Sequence, residues 1–390
     1  MSARAQVAVV GVGHSRVFRR DEVALGILAI EAVRNAVEDA GLEIADIDGL
    51  STTPYQPMAG GGDIDGLSIV SPEFMMQALK MDVAWSERQL RPVGASLINT
   101  INAVASGQCK YAVCFRALHN PSGRRYGHTN SLGASGPGQF SEPYGVFVPA
   151  IWGRYGLEHF HRYGSSREEL GAFVVRNRAQ ALKWEYGYWA QYSPTLLTLE
   201  DYLTARIISE PLGLFDCDIP VQAAGAFVVT TAERAQHLKN PPAYVLATSS
   251  PFTVSRGGPN SSNLSLDEYM VDGKQLARHL WDIAGIGPGD VDVANLYDGF
   301  STEAPLWAEA LGFCGEGEGF AFVAEPSLPL NTSGGSLGAG RTHGIAHIMD
   351  SVMQIQKRSG SRQVQEVEVA LAVTNPCDIG AGFVFCSSRG

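Results

Sequence analysis

The 390-residue sequence predicts an α/β protein with a parallel or mixed sheet, built as two similar halves. Strand-like apolar runs alternate with stretches of helical periodicity at the spacing of βαβ units. A pattern of the first half also returns in the second. Ala40-Gly41-Leu42 followed by Asp46-Ile47-Asp48 matches Ala284-Gly285-Ile286 followed by Asp290-Val291-Asp292 at one constant offset, with Arg34 and Arg278 in register.

The elements run in order. Gln6 to Gly13 is a buried-strand pattern. Residues 22–40 place Leu25, Ile27, Leu28, Ile30, Val33 and Val37 at helical spacing, and Gly41 fits a helix C-cap. Asp46 to Leu50 starts the next strand. Gly94-Ala95-Ser96 then precedes a helix over 97–106, and Tyr111 to Phe115 is a strand. Residues 119–145, rich in Gly, Ser, Pro and Asn, predict a long loop, and residues 151–192 are dense in aromatic side chains with a helix over 167–184. Loops of this length inside compact domains are usually functional lids, and a helical layer packed on a partner subunit fits the same residues. In the second half, Gly334 to Gly344 precedes a helix over 345–357, and Val367 to Val373 is a strand. The halves are expected at 1–245 and 246–390, with the loop or lid insertion over about 119–205 in the first. Pro241-Pro242 falls near the join.

Composition excludes several classes. A net charge of −11 speaks against nucleic-acid binding, which needs clustered Lys and Arg. Charged residues are only 18%, a hint that other protein covers part of the surface. The six cysteines are scattered, with no zinc-ribbon spacing and no disulfide framework. No run reaches the ~18 apolar residues of a membrane helix, and the short apolar stretch at Val7 to Val12 is no signal peptide. A cytoplasmic protein is expected.

Three short motifs are weak. Gly11-Val12-Gly13 lacks the third glycine of a dinucleotide loop, where Arg16 stands. Gly334-Gly335-Ser336-Leu337-Gly338 has the spacing of a nucleophile elbow but comes after a loop-like stretch in place of a strand. His343 and His347 lack the glutamate of a zinc helix, so no metal is expected. The segment Asn331 to Gly344 says more. Its crowded glycines, Gly334, Gly335, Gly338 and Gly340 among them, expose backbone N–H groups at a helix start, which suits an oxyanion or enolate. Arg341 and His343 can aim at the same place, and a mere tight turn is the plainer reading.

With these features in place, the sequence resembles the thiolase superfamily over nearly its full length. Gly94-Ala95-Ser96 matches the loop of the nucleophilic cysteine. Tyr297-Asp298-Gly299-Phe300 matches the Asn-Glu-Ala-Phe motif, and Gly340 to Gly344 the Gly-His-Pro-Leu-Gly loop. Cys377-Asp378-Ile379-Gly380 looks like the second Cys-x-Gly segment. The resemblance implies a thiolase fold, with duplicated βαβαβαββ halves in five α-β-α-β-α layers, a homodimer, and acyl-CoA as substrate with no separate cofactor. The departures imply different chemistry. Gly94 cannot form an acyl-enzyme, Arg341 replaces the catalytic histidine, and Tyr297 replaces asparagine. The sequence is most similar to the steroid side-chain retro-aldolases, which work in heteromeric complexes with a DUF35-type partner carrying an OB-fold. Leu311 to Gly315 and Glu210 to Cys217 share in that likeness.

The resemblance also implies roles at the site. Tyr297 serves the β-hydroxyl end, Arg341 favours its phenolate and Asp298 opposes it, while His343 or Cys377 protonates the enolate. Ser96 and the four glycines would line the acyl-CoA. Aromatic residues from Phe160 to Trp189 suit a bulky or ring-containing acyl group. A non-catalytic scaffold for a DUF35 partner, or a cysteine-independent acyltransferase or decarboxylase, are the alternatives.

Overall fold

The computed structural model describes residues 5–53, 64–89, 93–120, 148–250 and 265–389. Most of the long loop expected at 119–145 lies outside them. The first half runs β1 (Val7–His14), α1 (Leu25–Asp39), β2 (Gly49–Thr52), α2 (Pro72–Leu79), β3 (Trp85–Arg88), α3 (Val93–Ala105) and β4 (Tyr111–Leu118). An insertion comes next: α4 (Val148–Tyr163), α5 (Arg167–Ala181), α6 (Tyr188–Tyr192), α7 (Leu199–Thr204) and a small hairpin of β5 (Ile207–Ser209) and β6 (Leu212–Gly213). Then come β7 (Ala223–Thr231) and α8 (Ala232–Ala235). The second half runs β8 (Ala243–Ser249), α9 (Leu266–Ala284), β9 (Val293–Asn295), α10 (Glu303–Leu311), α11 (Gly319–Ala324), α12 (Gly335–Ala339), α13 (Ile345–Ile355), β10 (Val369–Thr374) and β11 (Ala381–Cys386).

Among the described residues, nine strands form one mixed sheet in the order β3-β2-β4-β7-β1-β8-β11-β10-β9. The halves meet where β1 and β8 pair antiparallel, through Ala8 with Tyr244 and Val9 with Ala243. Three apolar cores separate the layers. α1 and α2 cover the outer face of the first half, where Leu28, Ala32 and Phe115 pack. α3 and α13 lie between the two parts of the sheet, with Leu97, Ile348, Ala112 and Phe383 in one cluster. α9 and α10 cover the second half from outside, with Leu276, Trp307 and Leu371. This is the five-layer α-β-α-β-α order that the resemblance implies.

The repeated pattern has a physical job. Gly41 and Gly285 end α1 and α9 in the left-handed region, at φ 73° and 67°. Asp46 and Asp290 close a short turn by accepting from the amides of Glu43 and Gly287, each at 2.8 Å. Asp48 then accepts from the amides of Lys110 and Tyr111, and Asp292 from those of Glu368 and Val369. Each half thus uses one carboxylate to fix where its neighbouring strand begins.

Three details differ from the sequence expectation. α3 begins at Val93, so Gly94-Ala95-Ser96 is its first turn and no loop. Among the described residues the second half has one strand fewer: the counterpart of β3 is a single parallel bridge between Ala294 and Leu330. The aromatic insertion, where described, is mostly packed: Trp152, Tyr155, Phe173 and Tyr202 belong to the core over the second half. Gly11 and Gly13 also gain a reason. A Cβ there would sit 2.3 Å from the Ala36 carbonyl and 2.2 Å from that of Ala32, so they let α1 lie directly on β1. No helix among the described residues is long and apolar enough to cross a membrane.

His14 ends β1 in a buried position, its Nδ1–H donating to the Ser15 carbonyl at 2.5 Å and its ring stacked on Tyr186 at 5.0 Å. Burial pulls its pKa down from 6.5 to about 4. The unfolded chain therefore takes up this proton first as the pH falls. The stabilisation is complete above pH 6.5 and is lost toward pH 4, by up to about 3 kcal/mol. We expect urea midpoints to drop through this window and the drop to be shallower in His14→Phe. Equal slopes in the two proteins would disprove the assignment.

Candidate active site

Two loops build the site. The first, Leu296 to Thr302, leaves the end of β9, where an open α/β sheet places its crevice. The second, Asn331 to Gly344, carries α12 and leads into α13. Asn331 clamps them together: its Oδ1 accepts from the Leu296 amide at 2.7 Å and its Nδ2 donates to the Leu296 carbonyl at 2.9 Å. A third strap, residues 216–220, crosses both loops. The Asp218 amide donates to the Gly299 carbonyl at 3.0 Å, and the Arg341 amide donates to the Ile219 carbonyl at 2.8 Å. These links bring the Tyr297 and Arg341 segments together, as expected.

Asp298 occupies the anion position at the start of α12. Its Oδ1 accepts from the Ser336 amide at 2.6 Å and meets His347 Nε2 at 2.9 Å, and its Oδ2 accepts from Asn177 Nδ2 at 2.9 Å. Burial pushes its carboxyl up, while His347 and the α12 amides pull it back. A Cβ on Gly335 would lie 2.2 Å from Oδ2, so only glycine leaves room for this carboxylate. Gly334 and Gly338 serve a different end: added Cβ atoms would each meet the Ala181 Cβ at 2.5 Å, so they let α5 approach α12. Gly340, at φ 103°, lies against Val221. The donors expected to face a substrate oxyanion at α12 thus face the protein's own Asp298.

Tyr297 is buried, and its hydroxyl folds back over Gly299, 2.7 Å from where a Cβ would be. Burial pushes its phenol well above the usual value, Glu303 and Asp218 push the same way, and Arg341 opposes them. The resting group is therefore a phenol. Glu303 is a residue that sequence reasoning misses. It opens α10, is buried, and accepts from the Phe300 amide at 3.1 Å. Burial, Asp218, Asp298 and Asp378 push its carboxyl well above the ordinary range. Its signal is a lone acid ahead of the apolar run Ala304 to Trp307.

His343 sits at φ 52°, just ahead of α13, with Arg116 Nη2 2.9 Å from its Nδ1. Burial, then Arg116 and Arg341, lower its pKa well below 6.5, so the ring is neutral. Cys377 is buried beside α9: its amide donates to Tyr269 Oη at 2.9 Å, its sulfur packs on Gly273, and Glu303 acts on its thiol. Burial raises its thiol well above the usual value, which leaves no thiolate. Ser96 also turns from the site, its hydroxyl 3.1 Å from that of Ser51 in the core of the first half. Among the described residues, no group of His, Cys, Asp and Glu could hold a metal ion.

Gly94, which the resemblance matches to the nucleophile of a thiolase, has no room for a side chain. A Cβ on Gly94 would lie 2.5 Å from the Ala381 Cβ and 2.7 Å from Thr374 Oγ1. With its five layers and its paired loops, the molecule is a thiolase-fold protein. Residues 270–379 match the thiolase C-terminal domain-like family. The chain belongs to the thiolase superfamily. It is 30% identical to the 17-hydroxy-3-oxo-4-pregnene-20-carboxyl-CoA lyase of Mycobacterium tuberculosis, over 91% of this chain and 92% of that protein. It is 29% identical to the steroid side-chain-cleaving aldolase of Thermomonospora curvata, over 90% of each. Among solved structures, an Ltp2-ChsH2(DUF35) aldolase superposes with a TM-score of 0.83 at 27% identity, covering 99% of both chains.

Gly94→Cys should not restore a thiolase. The side chain must displace Ala381 or Thr374, at a stability loss of about 1–3 kcal/mol. Intact-mass spectra after incubation with acyl-CoA should show no acyl adduct on the natural chain. A stable thioester on any cysteine would refute the non-covalent site.

Proposed function

We propose that this chain is a carbon–carbon lyase that cleaves the Cα–Cβ bond of a β-hydroxyacyl-CoA without an acyl-enzyme. The products are a ketone or aldehyde and a shorter acyl-CoA, and the coenzyme enters as part of the substrate. The observation that carries this reading is the closed corner at Gly94, in a chain similar along its full length to proteins named lyase and aldolase. A bulky, steroid side-chain-like acyl group fits those relatives. A DUF35-type partner is supported by the Ltp2-ChsH2(DUF35) likeness. A homodimer is supported by the low charged fraction, 18%.

The chemistry is redox-neutral. The β-hydroxyl O–H bond breaks and its oxygen forms the new C=O. The Cα–Cβ electrons pass into the thioester enolate, and a proton returns to Cα. Tyr297, held as a phenol, is the proton donor at this centre, which reverses the basic role the sequence suggested. Asp218, whose charge acts on Tyr297, is the carboxylate that receives the hydroxyl proton, while Glu303 keeps its own. Arg341 sets positive charge beside the developing anion, and donors already aimed at that point cost no reorganisation.

Tyr297→Phe removes one hydroxyl and little volume, so the protein should fold while turnover falls ~10²–10⁴-fold. Arg341→Lys keeps the charge but loses the planar fork, and should also be impaired. The assay mixes purified chain with a β-hydroxyacyl-CoA, alone and with a co-expressed DUF35 protein, and follows the shorter acyl-CoA. Near-normal turnover in both variants would remove Tyr297 and Arg341 from the reaction. No cleavage in either mixture would favour the scaffold role. Sedimentation should give a species near twice the 41.7 kDa chain mass, and a monomer at micromolar concentration would refute the dimer.

A further inference from the structure

Arg116 is out of place by the rules that built its strand. Side chains alternate along β4, and Ala112, Cys114 and Leu118 face the middle layer. Arg116 shares their face and is only 5% exposed. A buried arginine is rarely found without a partner. Opposite it on β7 stands Gly225, whose missing side chain leaves room for Ile345, the first residue of α13: a Cβ there would meet Ile345 Cγ2 at 2.3 Å. This close approach brings the turn before α13 down onto β4. His343 is thereby held 2.9 Å from the guanidinium.

We propose that Arg116 is a positioning residue that fixes His343 in the tautomer carrying hydrogen on Nε2, so that the ring offers an N–H donor to a ligand oxygen. The argument is chemical. A guanidinium has donors and no acceptor, so the Nδ1 it meets must present a lone pair. The hydrogen of a neutral ring is then on Nε2. That nitrogen makes no hydrogen bond that the described residues record, and His343 as a residue is half-buried. The charged groups that reach the ring are Arg116 from β4 and Arg341 from its own loop, and both oppose a second proton. A ring so held donates to a carbonyl or enolate oxygen but does not carry a proton to carbon. The oxygen it serves is the thioester oxygen, a step that rests on the lyase reading. The tautomer does not.

The test starts from the natural full-length chain labelled with ¹⁵N-histidine. The chain has nine histidines, and His343→Gln identifies the signal. We expect a pyridine-type shift for Nδ1, a pyrrole-type shift for Nε2, and no titration between pH 8 and 5. Arg116→Gln keeps a donor and removes one charge, so the pKa of the ring should rise, while burial and Arg341 still hold it below the ordinary 6.5. Turnover of that variant should fall more steeply than that of the natural protein as the pH drops from 7.5 to 5.5, with KM little changed. A merely structural role would lower turnover equally at all pH values. Hydrogen on Nδ1, or a charged ring at pH 7, would overturn the proposal even if Arg116→Gln fails to fold. A parallel pH profile in a folded Arg116→Gln would overturn the positioning role. Absence of cleavage by the natural chain would sink the reaction, and the nitrogen shifts would still decide the tautomer.

Discussion

The carboxylate of Asp298, set against the first amides of α12, is the interaction on which the site is built. It fixes the loop after β9 to the glycine-rich loop, reaches His347 on α13, and takes a hydrogen from Asn177 on α5. Elements from residue 177 to residue 347 therefore meet at one side chain. Removing this carboxyl would leave buried donors without a partner, at about 1–3 kcal/mol for each. Tyr297 is the neighbour of this anchor, so the placement of its hydroxyl depends on a contact that itself does no chemistry.

The electrostatics of the site depend on where these loops lie. Asp218, Asp298, Glu303 and Asp378 act on one another in a region from which water is largely excluded. Like charges held together in a medium of low polarity cannot all ionise, so protons are retained. Glu303 and Tyr297 keep theirs, while burial and two arginines keep His343 from taking a second one. The site thus holds proton donors on one side and cations on the other. An acyl thioester turning into an enolate needs that polarity, and a thiolate nucleophile would not be stabilised on the acidic side.

Much of this is legible in the sequence, and the reasons differ by residue. The repeat at Asp46-Ile47-Asp48 and Asp290-Val291-Asp292 is visible because each copy does the same local task, ending a helix and starting a strand. The nearness of Tyr297 and Arg341 is legible only through resemblance, since strap 216–220 that joins them depends on tertiary pairing. Ser96 misleads because a helix start reads like a loop, and its hydroxyl is spent on Ser51. The glycines 334, 335 and 338 do mark a close approach, but what approaches is α5 and Asp298. Arg116 escapes local reading although it carries a signal, an arginine on the apolar face of a buried strand. Its partner is 227 positions away, beyond any local pattern.

The truncated fifth strand of the second half bears on assembly. A sheet normally has two borders, each a row of unspent backbone groups able to recruit another chain. On the β9 border, the Ala294 amide donates to Pro329 and its carbonyl accepts from Asn331, so a short loop segment has sealed that side. The β3 border pairs only with β2 among the described residues. A molecule with both borders open can polymerise without limit, each copy leaving a fresh edge for the next. With one side sealed, a neighbour that joins through β3 consumes the edge that admitted it, and growth by this route stops at two.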